Sequence, residues 1–156
     1  MTIDPVRRTV IVNAPTEKAF KVYTEGFTTW WPPTHHVGKA DLAEAILESR
    51  EGGRWYERGV DGSECDWGRV LAFEPPGRLL LSWQIDGAWQ SDPDLAHGSE
   101  VEVTFTDLGD GRTLVDLEHR SLERHGETAE AVQQGISGAG GWTMILERFA
   151  KTTEAA

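Results

Sequence analysis

The feature that most constrains the fold is a segment near the end of the chain, residues 141–154, which reads GWTMILERFAKTTE. Its apolar side chains recur at the i, i+3, i+4, i+7 and i+8 spacing of a single helix face, namely Trp142, Ile145, Leu146, Phe149 and Ala150, with Thr153 continuing the series. Ser137 and the glycines Gly138, Gly140 and Gly141 precede the segment and offer a helix cap and a flexible entry. Because a one-sided helix depends on tertiary packing for its stability, the rest of the chain is expected to cover this face.

The remainder of the chain indicates mainly short strands joined by tight turns. Strands are predicted where β-branched and aromatic residues alternate with polar ones, over residues 7–13, 42–50, 54–59, 65–73, 78–85, 100–107 and 113–120. The intervening turns carry Gly-Gly, Asp-Gly and Pro-Pro-Gly sequences, which are strong turn signals. Residues 42–50 are ambiguous because their Ala and Glu favour a helix, and their length and setting favour the strand that is predicted.

Helices are predicted at the two ends of the chain rather than between successive strands. A first helix begins at Thr16 and breaks at Gly26, and a second short one covers residues 27–31 before two prolines. Residues 123–134 are expected to be partly helical, and residues 86–98 form the longest irregular stretch. Hairpin-linked strands make an antiparallel sheet, and helices segregated from it make an α+β fold. At 156 residues, the chain (1–156) is predicted to form one domain.

The charge of the chain excludes several classes of partner. There are 26 Asp and Glu against 15 Lys and Arg, which gives a formal net charge of −11. A nucleic-acid partner and an anionic membrane surface are therefore not expected, and no apolar run approaches the roughly 20 residues of a membrane span, so no membrane insertion is expected. The lone Cys65 and the lack of a recognisable signal peptide predict a cytoplasmic location.

The unusual number in the composition is the count of seven Trp against two Tyr. One interpretation is a Trp-rich core, and the other is a cavity with aromatic walls, since small-molecule sites are lined mainly by apolar and aromatic groups. The sequence leaves both interpretations open. Trp30 and Trp31, which precede two prolines, are assigned either to the mouth of such a cavity or to core packing.

His119 is the main candidate for a catalytic group. Strand alternation places it on the same face as Val115 and Leu117, where a His can orient a ligand or act as an acid or base. Glu57 and Asp66, on the hairpin of the third and fourth strands, are candidates to join it. The alternative is a solvated ion-pair network that contributes little.

Metal and nucleotide sites are not predicted. His35 and His36 are adjacent, and neighbours on an extended chain point in opposite directions, while no His-x-x-x-His or Cys-x-x-Cys spacing is present. The chain also lacks a Gly-rich phosphate-binding signature, so no cofactor is predicted. The glycines before the last helix are attributed instead to a close approach of helix and sheet.

Taken together, five segments resemble the START-like (SRPBCC) superfamily, in the branch related to activators of the heat-shock-protein ATPase (AHSA-type). They read RTVIVNAPTEKAF, FTTWWPPTHHVG, EGGRWYERGVDGSECDWGRVLAFEPPGRLLLSW, LEHRSLERHG and GGWTMILERF. The resemblance implies a helix-grip (START/Bet v-like) fold, in which a curved seven-stranded antiparallel sheet wraps around the long C-terminal helix. It also implies a cavity between sheet and helix that takes hydrophobic or amphipathic small molecules. On that basis the expected ligand-binding residues are Trp30, Trp31, Trp55, Val70, Leu81, Trp83, Val103, Phe105, Leu117, His119, Trp142 and Leu146.

Three functions are compatible with this sequence. The favoured one is binding of a hydrophobic small molecule without chemistry, because Trp is abundant and catalytic residue types are not clustered. The second is a cyclase- or hydrolase-type enzyme that uses His119 and a nearby carboxylate. The third is an adaptor that associates with a chaperone, and the sequence is also compatible with a homodimer.

Overall fold

A seven-stranded antiparallel sheet curves around the C-terminal helix in the computed structural model, which describes residues 2–156. The strands are β1 (Val6–Val12), β2 (Leu42–Leu47), β3 (Arg54–Gly59), β4 (Glu64–Glu74), β5 (Arg78–Trp83), β6 (Ser99–Gly109) and β7 (Arg112–Arg120). Their order across the sheet is β1-β7-β6-β5-β4-β3-β2. Each strand from β2 to β7 therefore pairs with the next one along the chain. The last strand, β7, also pairs with the first strand, β1, which forms the other edge of the sheet. The predicted α+β helix-grip architecture is confirmed.

Four helices accompany the sheet, and two of them follow β1 as predicted. They are α1 (Thr16–Thr24), α2 (Phe27–Trp30), α3 (Ala129–Ser137) and α4 (Trp142–Ala155). Short 3-10 turns occupy Leu95–His97 and Leu122–Thr128, so the expected helix after β7 is a 3-10 turn followed by a regular helix. No helix within residues 2–156 combines the length and apolar character needed to cross a membrane.

The buried face of α4 is the one that its spacing predicts. Its buried side chains are Trp142, Ile145, Leu146, Phe149, Ala150 and Thr153. Thr153 is completely buried, and its hydroxyl donates to the carbonyl oxygen of Phe149 at 2.8 Å. The one polar member of the face is therefore satisfied within the helix, and the face is effectively apolar.

The strands β6 and β7 present the matching surface. Their inward residues face each other in register, as the pairs Val101–His119, Val103–Leu117 and Phe105–Val115, and all six are buried. Burial of a Val, Leu or Phe side chain stabilises a fold by about 1.5–3 kcal/mol. The alternation read from the sequence of these two strands therefore identifies one wall of the core.

The turn into α4 differs from the prediction. Ser137 does not cap α4, because it is the last residue of α3 and its hydroxyl donates to the Gln133 carbonyl at 2.6 Å. The residue at the N-cap of α4 is Gly141. A Cβ atom at Gly141 would lie 2.0 Å from the Ile136 carbonyl oxygen, so the close approach that requires glycine is between α3 and α4, not between helix and sheet.

We expect Gly141→Ala to lower the free energy of unfolding by about 3 kcal/mol, the upper end of the usual cost of overpacking, because backbone atoms of α3 would have to move. Gly135→Ala is the matched control: it lies in α3 with no atom within 4 Å of the new Cβ. Its higher helix propensity should stabilise the protein by up to about 1 kcal/mol. Urea unfolding followed by circular dichroism measures both changes, and equal stabilities would contradict the assigned contact.

Candidate ligand-binding site

A cavity of about 240 Å³ lies where α3 meets α4, at the end of β5. Three indoles, Trp31, Trp83 and Trp142, form its aromatic wall, and Trp89 stands at its mouth, 44% exposed. Aliphatic side chains of α3 and α4 complete the lining, namely Val132, Ile136 and Ile145. The polar side chains that reach the cavity are those of His35 and Asp86. It is therefore an apolar aromatic pocket with two titratable groups.

The indole rings of this wall are packed against one another edge to face. The centroid of Trp142 lies 6.1 Å from that of Trp31 and 5.7 Å from that of Trp83, with interplanar angles of 67° and 68°. Such arrangements are preferred by the quadrupoles of aromatic rings. Each ring holds its neighbour in place, so the wall is formed before any ligand arrives.

The indole N–H groups of these four tryptophans are all used inside the protein. Trp31 donates to the His35 carbonyl at 2.8 Å, Trp83 to the Ile85 carbonyl at 3.0 Å, Trp89 to the His36 carbonyl at 2.6 Å and Trp142 to His119 Nδ1 at 3.0 Å. Each indole N–H therefore already has an acceptor within the protein, and the indoles present only ring carbon atoms to a ligand.

A buried hydrogen-bond chain stands behind the wall. Because Trp142 Nε1–H donates to His119 Nδ1, the proton of His119 is on Nε2, which donates to Ser99 Oγ at 2.7 Å. The Ser99 hydroxyl can then donate to His125 Nε2 at 2.8 Å. Burial, and to a smaller extent the charge of His125, lowers the pKa of His119 to about 3. His119 is therefore neutral near pH 7, and both of its nitrogens are engaged.

This geometry gives His119 a positioning role toward Trp142. It is completely buried and lies behind the indoles rather than on the cavity surface. An acid or base has to reach the proton it transfers, and His119 has no free nitrogen to do so in this arrangement.

The two carboxylates predicted beside His119 are elsewhere. Glu57 is buried and accepts hydrogen bonds from the Val37 and Gly38 backbone N–H groups, at 2.5 and 3.0 Å, and from Trp67 Nε1 at 2.8 Å. Asp66 is exposed and pairs with Arg54 at 2.8 Å. The predicted cluster does not form, because Glu57 on β3 and Asp66 on β4 are separated from His119 on β7 by three and two strands of the sheet respectively.

Of the expected ligand-binding residues, the structure brings three to the cavity: Trp31, Trp83 and Trp142. The others fill the space between the sheet and α4 as core, namely Trp30, Trp55, Val70, Leu81, Val103, Phe105, Leu117, His119 and Leu146. The cavity is thus at the N-terminal end of α4 and does not run along the helix. Sequence reasoning missed Asp86 and Trp89 as lining residues. The one signal for them in the sequence is Trp89, a large apolar residue within a loop rich in Gly and Asp.

Comparison with known proteins establishes the family. The family model described as "Activator of Hsp90 ATPase homolog 1-like protein" matches residues 13–154. The chain belongs to this family, and it is a START-like protein of the AHSA type. No curated protein matches the chain.

Solved structures support the same assignment. The chain is 43% identical to the anthrahydroquino-γ-pyrone synthase Txn09, solved in complex with SUM, with 97% of each chain covered and a TM-score of 0.69. It is 34% identical to CalC, a self-sacrificing resistance protein from Micromonospora echinospora, covering 97% of this chain and 94% of that one with a TM-score of 0.72. Protein MLL2253 from Mesorhizobium loti shares the fold at 20% identity, with 98% of each chain covered and a TM-score of 0.66.

The buried His119 makes stability depend on pH in a defined direction. An unfolded His takes up a proton below about pH 6.5, whereas His119 in the folded protein remains neutral down to about pH 3. Stability should therefore fall as the pH drops from 6.5 toward 3, by about 1.4 kcal/mol per pH unit from this residue.

His119→Gln should remove this contribution, because Gln supplies one acceptor for Trp142 and one donor for Ser99 without titrating. His119→Leu leaves the buried Trp142 N–H without an acceptor and Ser99 with His125 as a remaining partner, and it should cost about 2–3 kcal/mol at pH 7.5. Urea unfolding between pH 7.5 and about 4.5 measures the difference from the wild type. A His119→Gln protein with the same pH slope as the wild type would contradict the buried neutral state.

Proposed function

We propose that the protein binds and sequesters a flat, apolar aromatic small molecule in the cavity at the N-terminal end of α4. The observation that carries this proposal is the wall of three indoles whose N–H groups are already satisfied. A desolvated surface of ring carbon, fixed edge to face, suits another flat π-system more than a polar ligand.

The size of the cavity limits how much of the ligand is enclosed. Its volume of about 240 Å³ is below the range of about 300–1,000 Å³ that is usual for drug-sized ligands. We therefore expect a small fused-ring system, or one end of a larger molecule that extends past Trp89 at the mouth.

The named relatives support an aromatic ligand and its sequestration. The 43%-identical neighbour is named for an anthrahydroquinone fused to a γ-pyrone, which is a flat polycyclic molecule. The 34%-identical neighbour is named as a resistance protein, a role that fits removal of a small molecule from solution. Fold alone does not specify function. The names of these relatives therefore guide which compounds are tested for binding.

Filling the cavity should abolish binding without unfolding the protein. Gly135 lines the cavity and has no atom within 4 Å of a new Cβ, so Gly135→Leu places a side chain in the cavity. We expect it to weaken binding of 2-(hydroxymethyl)anthraquinone at least about tenfold, the loss of roughly 1.4 kcal/mol of contact energy. Quenching of tryptophan fluorescence measures the affinity.

Gly77→Leu is the control, since its position at the other end of β5 is equally open. It should bind the probe as the wild type does. Unchanged binding in Gly135→Leu, with thermal stability retained, would contradict this location for the site.

A second candidate is a ring-closing enzyme at the same cavity, favoured by the 43% identity to a synthase. Its acid or base would be Asp86, which reaches the cavity. Both ring nitrogens of His35 are engaged, by Thr34 and Gly140, as are those of His119. Positioned acids and bases contribute about 10²–10⁴ in rate. Asp86→Asn should then lower kcat about a hundredfold for closure of a γ-pyrone on an anthrahydroquinone precursor, while His119→Gln retains it. Product formation no faster than in buffer, measured by mass spectrometry, would contradict this function.

Association with a chaperone stays a prediction, supported by the description of the family. The large apolar side chains that are exposed, such as Ile11 and Val60, are scattered along the chain, and single exposed apolar residues are normal on a protein surface. Failure to stimulate the ATPase of Hsp90 would count against this role.

A further inference from the structure

We infer that the cavity selects aromatic ligands that carry a protonated amine and discriminates against aromatic carboxylates. The inference rests on the proposed function, since it specifies the charge of the ligand that the same cavity binds. It depends on which charged and polar groups reach the cavity, and on which of those are already occupied.

The side chains that line the cavity include one carboxylate, Asp86, and neither a Lys nor an Arg. An anionic ligand would give up hydration there without a cationic partner, which is costly in an apolar setting. His35 does not offer a free donor, because its Nε2–H is directed at the Gly140 carbonyl oxygen at 2.7 Å. The lining therefore offers neither a Lys nor an Arg side chain to a carboxylate, and what would attract an anion there is the partial positive charge at the N-terminal end of α4.

Asp86 is held in place and keeps one oxygen free. Its Oδ1 accepts hydrogen bonds from the backbone N–H groups of Ala88 at 2.9 Å and Gln90 at 3.0 Å. Its own N–H donates to the Gln90 carbonyl at 2.9 Å, and its carbonyl accepts from Trp89 N–H at 3.0 Å. Among residues 2–156 no hydrogen bond reaches Oδ2, so this carboxylate oxygen remains for a donor. Asp86 also borders a second pocket, which is lined by Arg124 and His125.

The indole rings and the net charge also favour a cation. The helix dipoles at the cavity oppose each other, because the carbonyl end of α3 and the N-terminal end of α4 both line it and carry partial negative and partial positive charge respectively. The faces of indole rings attract ammonium groups. The overall charge of −11 raises the local concentration of cations near the surface.

Three anthraquinones that differ in one substituent test the inference: 2-(aminomethyl)anthraquinone, 2-(hydroxymethyl)anthraquinone and anthraquinone-2-carboxylate. At pH 7 they are cationic, neutral and anionic. We expect the amine to bind at least about tenfold more tightly than the carboxylate, with the alcohol between them, by quenching of tryptophan fluorescence.

Asp86→Asn keeps an acceptor for the two backbone N–H groups, so the turn should be retained while the charge is lost. Affinity for the amine should fall about tenfold, and affinity for the alcohol should change less than about twofold. Asp116→Asn, on the exposed face of β7, is the control for the change in net charge and should leave both affinities unaltered.

In the wild type, raising the salt concentration from about 10 mM to about 300 mM should weaken binding of the amine and leave binding of the alcohol unchanged.

Equal affinities for amine and carboxylate, or an amine affinity unaffected by Asp86→Asn, would overturn this inference and leave the proposed function standing. Binding by none of the three compounds would overturn the proposed function, and this inference with it.

Discussion

The contact between the apolar face of α4 and the concave face of the sheet is the interaction on which the other features depend. Val103 and Leu117, on neighbouring strands, and Leu146 and Phe149, on the helix, are all buried in one core. The sheet has to curve to enclose the helix, and the helix has to begin at a fixed point for Trp142 to meet His119. The cavity exists because α3 ends against that point and the side chains there leave space unfilled.

Two hydrogen bonds of His119 keep that arrangement specific. The bond from Trp142 to His119 joins the first residue of α4 to the last strand at 3.0 Å. In the interior such a bond is expensive to lose, because its partners would be left unsatisfied. A neutral histidine serves here better than a charged one, since it accepts from the indole and donates to Ser99 at the same time. His119, which the sequence suggests as an acid or base, instead holds the Trp142 wall of the cavity in place.

The sequence allowed the fold to be predicted more fully than the site. The spacing of Ile145 and Phe149 and the alternation of Val101 with Val103 depend on local periodicity, which a sequence displays directly. Trp55 and Leu81 were expected to line a cavity and are core residues, because pockets and cores draw on the same residue types. Whether neighbouring side chains fill the space between them depends on tertiary packing, which periodicity does not report. Asp86 belongs to an irregular loop, where no repeat indicates which way a side chain points.

The two sides of the cavity mouth are held by different numbers of hydrogen bonds, because Glu57 anchors one side only. The segment at residues 37–38 is tied by two backbone hydrogen bonds to that buried side chain, which Trp67 also holds. Across the mouth, the indole of Trp89 reaches the residue before this segment through one bond, to the His36 carbonyl. Trp89 itself is partly exposed and has a positive φ of 62°. Breaking the single hydrogen bond of an exposed indole costs less free energy than removing two hydrogen-bond donors from a buried carboxyl group. If the protein binds a ligand as proposed, one too large for the cavity would displace the Trp89 turn, and the rim that bears His35 would keep its shape.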